Sequence, residues 1–278
     1  MKERVTFTID SEILKQIDST IDGSMIKNRS HAAEILIAKA LGNNAPKTAV
    51  ILAGGKGKRF GPITSEIPKP MIPLHDKPLL YHAICLFRKF GIKNIIISVG
   101  YKADKIKEFF GNGRNFGVSI TYVEESEPLG TAGALRLATP YIEGSFIVCN
   151  ADDLMDINLA EMYSFHKSHS SIATIALTTI DDPSNYGVAL MNGDKITAFV
   201  EKPKREDAPS KLISAGLYIL ERPVLDMIPK GFSMLENDVF PKLAGSSRLI
   251  GYSFSGMWID VGTPERYEQA IREWKDIE

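Results

Sequence analysis

The chain has few of the features that mark secreted, membrane-bound or nucleic-acid-coating proteins. It has 278 residues but only two cysteines, Cys85 and Cys149, both in apolar runs, as is typical of reduced and buried thiols. The formal net charge is −1, so no overall field favours nucleic acid or membrane. The N-terminus is polar, unlike a signal peptide, and no apolar run could span a bilayer. We therefore expect a cytoplasmic globular protein of one or two domains.

Residues 1–42 have the pattern of a separate small unit. Apolar and polar residues alternate over residues 4–9, which predicts a half-buried strand. The apolar face of this strand consists of Val5, Phe7 and Ile9. Two amphipathic helices follow, the first capped by Asp10 or Ser11 and the second by Asn28. A strand and two helices of this size cannot bury their own apolar faces, so we expect a partner chain.

This order of elements resembles a ribbon-helix-helix domain, in which two chains pair their strands as an antiparallel ribbon. The resemblance implies a homodimer or higher oligomer formed through residues 1–42. It also implies possible DNA contacts in the major groove from the outward side chains Arg4, Thr6 and Thr8. Residues 1–46 carry six basic and six acidic side chains, so the unit could instead serve assembly alone. We expect the polar residues 43–47 to be a linker.

Residues 48–278 alternate short apolar runs with helical patterns. This alternation predicts an α/β fold, with a mixed, mostly parallel sheet and helices on both faces. The dipeptide Asn192-Gly193 predicts a tight hairpin turn within it. Because ligands of such sheets bind at the carboxyl ends of the strands, residues that follow strands should gather at one edge. Those residues are Gly54, Gly100, Gly130 and Asp152.

A glycine-rich loop extends from the end of the first apolar run, at Ala53, to Lys69. Its glycines, which allow backbone N–H groups to approach a ligand closely, are Gly54, Gly55 and Gly57. Arg59 and Lys69 add two cations, and backbone donors with flanking cations suit a triphosphate. The glycine spacing differs from both the Rossmann fingerprint and the Walker loop. The alternative for these glycines alone is a surface turn flanked by ordinary charges.

The longer pattern G-G-x-G-x-R-x-x-P-I-T-x-x-x-P-K-P, over residues 54–70, resembles the signature of the sugar-1-phosphate nucleotidyltransferases. Further motifs of that family follow in the same order, at 128–133, 150–152, 186–187, 201–203 and 258–264. The resemblance covers residues 47–274. It implies a Rossmann-like nucleotidyltransferase domain that binds a nucleoside triphosphate and a sugar 1-phosphate and releases pyrophosphate.

The resemblance also implies the catalytic residues. Asp152 and Asp260 match the metal-binding pair of the family, with Mg²⁺ as the cofactor. Arg59 would hold the triphosphate, and Lys69 would contact the α-phosphate. Asp153 is adjacent to the pair, but strand alternation would turn its side chain away.

Binding residues on the two sides of the site are implied in the same way. The nucleotide side would comprise Ala53, Gly54, Gly55, Gly57, Arg59, Lys69, Glu125 and Gly130. The sugar-phosphate side would comprise Gly187, Glu201, Lys202 and Gly216, with the two glycines leaving room for the sugar. His166 and His169 lie three residues apart on a predicted helix, and we expect both on the surface rather than in a metal site.

Glu125 bears on the choice of base. Relatives that use dTTP or UTP have a glutamine at this position, whereas a carboxylate only accepts hydrogen bonds. Guanine offers two adjacent N–H donors that a carboxylate can accept together, which favours GTP. The alternative is that Glu125, within an acidic stretch at 124–127, is a solvated loop residue.

The predicted sugar is mannose 1-phosphate, and three alternatives stay open. Residues 231–236 also resemble manno-heptose 1-phosphate guanylyltransferases. Thymidylyl or uridylyl transfer to glucose 1-phosphate is the second alternative. The third is a DNA-binding regulator that senses a nucleotide sugar, although the complete catalytic set favours an enzyme.

Overall fold

The computed structural model describes residues 4–23, 26–40 and 45–275. The chain divides into two compact units, residues 1–44 and residues 45–278. The predicted linker at 43–47 begins at residues that lie outside the described ones. Within the described residues, no helix combines the length and the apolar character that crossing a bilayer requires.

The N-terminal unit contains two helices, α1 (Ser11–Ser19) and α2 (Arg29–Ala40). The Asp10 side chain accepts a hydrogen bond from the Glu12 N–H at 2.8 Å, so it caps α1. Asn28 Oδ1 accepts one from the His31 N–H at 3.0 Å, at the start of α2. Both predicted caps are therefore confirmed. The Arg29 guanidinium donates two hydrogen bonds to the Asp18 carboxylate, each at 2.7 Å, and so ties the second helix to the first.

The segment that precedes α1 forms no strand within one chain. Residues 4–10 adopt neither helix nor strand. The side chains of Val5 and Phe7 are 63% and 64% exposed. The prediction of a half-buried strand is wrong for a single chain, because no other described segment of the unit pairs with this one. Pairing between two chains, and with it the ribbon-helix-helix architecture, stays a prediction.

The second unit is built on a nine-stranded sheet with two small two-stranded sheets beside it. The strands are β1 (Thr48–Ala53), β2 (Pro73–Leu74), β3 (Lys77–Pro78), β4 (Asn94–Val99), β5 (Ser119–Glu124), β6 (Phe146–Asn150), β7 (Asp153–Met155), β8 (Ala173–Thr179), β9 (Gly187–Asn192), β10 (Lys195–Glu201), β11 (Leu212–Leu220), β12 (Leu249–Ser253) and β13 (Trp258–Asp260). The helices are α3 (Leu79–Lys89), α4 (Ala103–Phe110), α5 (Gly130–Leu137), α6 (Leu159–Ser168), α7 (Phe240–Gly245) and α8 (Pro264–Glu273). A π-helical turn, Leu235–Val239, leads into α7.

The large sheet has the order β5-β4-β1-β6-β11-β8-β12-β10-β9. Strands β5, β4, β1 and β6 are mutually parallel, and β8 is parallel to β12. Strand β11 is antiparallel to β6, β8 and β9, and β10 is antiparallel to β12 and β9. Seven of the nine strands therefore share one direction, and the predicted mixed, mostly parallel sheet is confirmed. The β9–β10 hairpin turns at Gly193, as predicted, where φ is +56°.

Apolar side chains of the central strand β1 alternate between two cores. Ala49 and Ile51 pack in the core that contains residues of α3, α4 and α6. Val50 packs in the core on the other face, with residues of α5 and α7. The prediction of helices on both faces is thus confirmed. Cys85 and Cys149 are free and buried, also as predicted.

A third apolar cluster connects the glycine-rich loop, the small β7–β13 sheet and α8. Its members include Phe60, Leu154, Ile259, Val261 and Trp274. Strand β13 pairs with β7 in antiparallel register, with Asp260 opposite Asp153. This packing brings the chain near its C-terminus back to the carboxyl ends of β1 and β6.

His166 is not at the surface, contrary to the expectation from sequence. Its side chain is buried on α6, with Nδ1 2.7 Å from Thr174 Oγ1 and Nε2 3.1 Å from Glu221 Oε1. The spacing of His166 and His169 could not reveal this, because the strands that cover His166 lie elsewhere in the sequence. Burial lowers the pKa of His166, since the charged imidazolium is the less readily desolvated form.

Candidate active site

The carboxyl ends of β1 and β6 open into a first cleft bounded by the glycine-rich loop. Its lining residues are Leu52, Ala53, Gly55, Gly57, Arg59, Lys69, Pro70, Ala151, Asp152 and Gly262. Five of the eight predicted nucleotide-side residues are therefore brought together here. The other three, Gly54, Glu125 and Gly130, lie outside this lining.

Gly57 and Gly55 of the loop differ in whether the surrounding atoms would exclude a side chain. Gly57 has φ +63°, and a Cβ on it would lie 2.8 Å from Lys69 Cβ. A side chain at Gly57 would therefore be strained and would displace the lysine. A Cβ on Gly55 would meet no atom within 4 Å, so Gly55 borders open space in the cleft.

Glu125 is held in place beside the start of the loop. Its Oε1 accepts a hydrogen bond from Ser98 Oγ at 3.2 Å, and its Oε2 accepts one from the Leu129 N–H at 3.1 Å. A Cβ on Gly54 would lie only 2.0 Å from Glu125 Oε1. The view of Glu125 as a merely solvated loop residue is therefore wrong. Whether it reads the base stays a prediction.

The N-terminus of α5 is closed by a carbonyl from the chain itself. The Ala132 and Gly133 N–H groups donate to Ser233 O at 3.0 and 3.2 Å. Gly130 has φ +74°, and a Cβ on it would lie 2.4 Å from the same oxygen. The first turn of α5 thus packs on the segment that leads to the π-helical turn, and this contact requires glycine at position 130.

A second cleft adjoins the first and contains all four predicted sugar-phosphate residues. It is lined by Gly187, Glu201, Lys202 and Gly216, together with Arg59, Thr131, Asn150, Asp152, Asp153, Asn185, Tyr186, Ser214, Tyr218, Met234, Glu236, Trp258 and Asp260. Arg59 and Asp152 line both clefts. The two clefts therefore meet at the predicted catalytic residues.

Asp152 and Asp260 are brought together from strand ends far apart in sequence. The Val261 N–H donates to Asp152 O at 3.0 Å, so the backbones touch. Lys69, a residue that is only 7% exposed, forms an ion pair through its ammonium with the Asp152 carboxylate. Burial and then the Asp152 charge raise the pKa of Asp260, while Lys69 and Arg59 oppose that rise. The site thus concentrates negative charge, and nearby cations, Lys69 and Arg59 among them, offset part of it.

Asp153 is not turned away from the site, contrary to prediction. It lines the second cleft and accepts a hydrogen bond from Asn150 Nδ2 at 2.9 Å. Strand alternation does not apply, because β6 ends at Asn150 and residues 151–152 form a turn. Burial, followed by the charges of Asp152 and Asp260, raises the pKa of Asp153 well above its usual range.

The donor set at Asp152 and Asp260 fits a hard divalent cation. Carboxylate oxygens are the ligands that Mg²⁺ prefers, and the ion usually takes its remaining ligands from water and substrate phosphates. Among the described residues, no three His, Cys, Asp or Glu side chains converge as a complete metal cage. The two carboxylates therefore suit an ion whose coordination a bound phosphate would complete.

On the sugar side, Lys202 forms an ion pair with Glu201 at 3.0 Å. Lys202 has φ +46°, a left-handed conformation that is costly for a residue with a side chain and that clusters at functional sites. The protein's own atoms require glycine at both predicted positions. A Cβ on Gly187 would lie 2.3 Å from Phe199 Cζ, and one on Gly216, where φ is +75°, would lie 1.9 Å from Asp153 Oδ2.

The second cleft also contains polar residues that the sequence did not predict, among them Thr131, Tyr218 and Glu236. Glu236 is buried, and its Oε2 accepts a hydrogen bond from Thr131 Oγ1 at 2.6 Å. Its Oε1 accepts one from Tyr218 O–H at 3.4 Å. Burial raises the pKa of Glu236. The only available signal was the stretch 231–236, which pointed to a family resemblance and not to a buried acid.

The second unit is similar to known proteins along most of its length. The family model described as nucleotidyl transferase matches residues 48–276. A relative from Oryza sativa subsp. japonica, "Probable mannose-1-phosphate guanylyltransferase 1", is 37% identical over 235 residues, covering 82% of this chain and 64% of that protein. The "Mannose-1-phosphate guanylyltransferase" of Mycobacterium tuberculosis is 38% identical over 224 residues, covering 79% of this chain and 62% of that protein.

Solved structures extend the comparison. HddC from Yersinia pseudotuberculosis, complexed with GMP-PN, matches with a TM-score of 0.70 and 31% identity, covering 82% of this chain and 100% of that one. A UDP-glucose pyrophosphorylase complexed with UDP-glucose matches with a TM-score of 0.72 and 27% identity, covering 82% and 97%. The chain spans about 64% of the length of the first curated relatives. With the family model matching most of its length, the chain belongs to the nucleotidyl transferase family.

Proposed function

We propose that the second unit transfers a guanylyl group from GTP to mannose 1-phosphate, giving GDP-mannose and pyrophosphate. A phosphate oxygen of the sugar phosphate attacks the α-phosphorus, the α–β phosphoanhydride bond breaks, and pyrophosphate leaves. The observation that carries the proposal is the meeting of the two clefts at Arg59 and Asp152, with Lys69 and Asp260 beside them. The relatives named as mannose-1-phosphate guanylyltransferases support the choice of substrates.

Two cations act on the triphosphate. Both reactants are anions, so the barrier consists largely of charge repulsion and alignment. Arg59 can form paired hydrogen bonds with phosphate oxygens and stabilise charge on the departing pyrophosphate. Lys69 lies deeper, on the wall of the first cleft beside Asp152, where its ammonium can contact the α-phosphate.

Asp152 and Asp260 would hold Mg²⁺ between the two substrates. When bound, the ion would neutralise charge on the substrate phosphates. The two carboxylates come from different elements, the turn after β6 and the end of β13, so their spacing depends on the fold of the whole unit.

The sugar side recognises phosphate and hydroxyl groups separately. The Lys202 ammonium would bind the phosphate of the sugar 1-phosphate. Glu201 and the buried Glu236 offer carboxylate oxygens to sugar hydroxyl groups, which are hydrogen-bond donors. Gly187 and Gly216 shape the wall because their side-chain positions are taken by Phe199 and Asp153.

The base preference rests on Glu125, beside Gly54. A carboxylate in this place can accept from the two N–H groups of guanine, whereas it opposes the carbonyl of a pyrimidine. A mispaired polar group costs about 1–3 kcal/mol, which corresponds to one or two decades of preference for GTP. The relative solved with GMP-PN is consistent with this choice.

An assay of pyrophosphate release tests the proposal directly. GTP, dTTP and UTP are each paired with mannose 1-phosphate, glucose 1-phosphate and a manno-heptose 1-phosphate, with Mg²⁺ present. The highest kcat/KM is expected for GTP with mannose 1-phosphate. A higher value for another pair would reassign the substrates, and no release with any pair would refute nucleotidyl transfer.

For residues 1–44 we propose a role in assembly, as a homodimer or higher oligomer that pairs two copies of the 4–9 segment. The exposed Val5 and Phe7 would be covered by the partner chain. A second proposed role of this unit is DNA binding through Arg4, Thr6 and Thr8. A salt-sensitive DNA mobility shift that is lost on deleting residues 1–44 would support it. The free cysteines Cys85 and Cys149 support a reducing compartment, the cytoplasm.

A further inference from the structure

A chain of contacts joins Arg266, in the first turn of α8, to the carboxylate of Asp260. Arg266 Nη2 donates to Tyr186 Oη at 3.2 Å, and Tyr186 Oη donates to Asp260 Oδ2 at 3.4 Å. Arg266 does not line either cleft, whereas Tyr186 and Asp260 both line the second. The hydrogen bonds of the arginine therefore reach the Asp260 carboxylate through the tyrosine.

The chemistry of the three groups fixes the direction of these hydrogen bonds. A guanidinium has only donors, so the Tyr186 hydroxyl must accept from Arg266. The single hydroxyl proton is then left for the Asp260 carboxylate, which only accepts when ionised. Arg266 thereby makes Tyr186 a one-way donor to Asp260 Oδ2.

Arg266 is itself fixed by two further contacts. Its Nη1 donates to Gln269 Oε1 at 3.1 Å, and its guanidinium carbon lies 5.7 Å from the centre of the Trp258 ring. The Tyr186 ring meets the same tryptophan edge-on, with centroids 5.5 Å apart. A planar guanidinium suits this combination of stacking and hydrogen bonding better than an ammonium would.

The Asp260 carboxylate occupies the space that a side chain at Gly262 would need. A Cβ on Gly262 would lie 2.7 Å from Asp260 Oδ2 and 2.9 Å from Oδ1. Tyr186 also links the metal side to the sugar side, because its carbonyl accepts from the Lys202 N–H at 2.9 Å. A shift of the Tyr186 side chain would thus free one carboxylate oxygen beside the reacting phosphates.

We propose that Arg266 is a positioning residue that acts through Tyr186 to orient Asp260, so that one carboxylate oxygen is held and the other faces the divalent cation. The inference rests on the proposed function for its metal. Partners of this kind typically change metal affinity about 10–100-fold when they are removed. Arg266→Met should therefore weaken Mn²⁺ binding about tenfold or more.

The test measures Mn²⁺ binding to the full chain without substrates, by electron paramagnetic resonance, and uses Asp260→Asn to define the site. Arg266→Met and Tyr186→Phe are each expected to weaken the Asp260-dependent binding, and the double variant to be no weaker than Tyr186→Phe alone. Arg266→Lys should recover part of the affinity. The exposed Arg272, in the last turn of the same helix, provides the control Arg272→Met, which should bind as the parent does.

Three outcomes would overturn the inference. These are unchanged Mn²⁺ affinity in Arg266→Met, additive losses in the double variant, and a parent protein without Asp260-dependent Mn²⁺ binding. The binding measurement contains no nucleotide or sugar. Failure of the proposed function would therefore appear in the pyrophosphate assay alone. Failure of the positioning role would appear in the Mn²⁺-binding measurement.

Discussion

The two units of the chain differ in how much apolar surface each covers by itself. Among its described residues, the N-terminal unit buries only Ile17 and Ala32. Its large exposed apolar side chains are Val5, Phe7, Ile9, Ile13, Leu36 and Ile37. The second unit has seven such side chains spread over 231 described residues, and three apolar clusters. The length of a segment thus limits how much of its apolar surface it can bury by itself.

The largest expected effect is the loss of turnover when either aspartate of the second unit is replaced. Asp152→Asn and Asp260→Asn should each lower kcat about 10³-fold, because a metal ion contributes several kcal/mol of charge stabilisation. The fold should persist, since neither change creates a cavity. Pyrophosphate release and circular dichroism would measure the two quantities. Near-normal turnover at limiting Mg²⁺ would remove that aspartate from the site.

The next largest expected effect is a change in base preference when Glu125 is replaced. This change should be the same with or without the N-terminal unit. Glu125→Gln should shift the ratio of kcat/KM for GTP against UTP by about one to two decades, because an amide can donate to a pyrimidine carbonyl. The ratio would be measured in the full chain and in residues 45–278. A parent that prefers dTTP or UTP, or a ratio that does not move, would show that Glu125 does not read the base.

The third prediction is a twofold change in molecular mass, which would show whether the exposed apolar residues of the N-terminal unit pair two chains. Phe7→Asp should convert the proposed dimer to a monomer, because a charge would enter the shared core. Phe232→Asp is the matched control, since Phe232 in the second unit is 68% exposed and Phe7 is 64% exposed. Light scattering reports the mass, and kcat/KM should stay within about twofold of the parent. An identical mass for the parent and both variants would refute dimerisation through this segment.

The smallest effect is a pH dependence that belongs to the second unit. Burial keeps the pKa of His166 below its unfolded value, so the unfolded chain binds more protons between the two values. The contribution to stability is present above pH 6.5 and declines as the pH falls below it. Thermal unfolding of residues 45–278 should show a small decline between pH 7 and 5, and His166→Gln should reduce its slope. A slope that does not change would assign the decline to other groups.

The sequence allowed prediction of features that depend on neighbouring residues or on the rule for strand ends. The glycine-rich loop, the two caps of the N-terminal unit and the hairpin at Gly193 are local. Asp152 and Asp260 could be paired because their motifs resemble the metal-binding pair of the family, although Asp260 ends a strand outside the main sheet. The pairing of β13 with β7, outside the main sheet, could not be foreseen in the same way.

The features that could not be predicted join segments far apart in sequence. Thr131 and Glu236 are 105 residues apart, and Tyr186 and Arg266 are 80 apart. No spacing rule relates such positions, because their contact depends on how the π-helical turn and α8 pack against the rest of the unit. The predicted orientation of Asp153 was wrong for a related reason, because a turn at residues 151–152 interrupts the strand whose alternation was assumed.

The left-handed backbone conformation at Lys202 lowers the stability of the fold at a residue with a proposed role in substrate binding. A non-glycine residue held in this region costs about 1–3 kcal/mol, which the rest of the unit must offset. Lys202→Gly would relieve that cost and raise the melting temperature, yet it would also delete the ammonium that we propose binds the sugar phosphate. A laboratory selection for heat resistance alone would therefore favour glycine here, and a selection for turnover would restore the lysine.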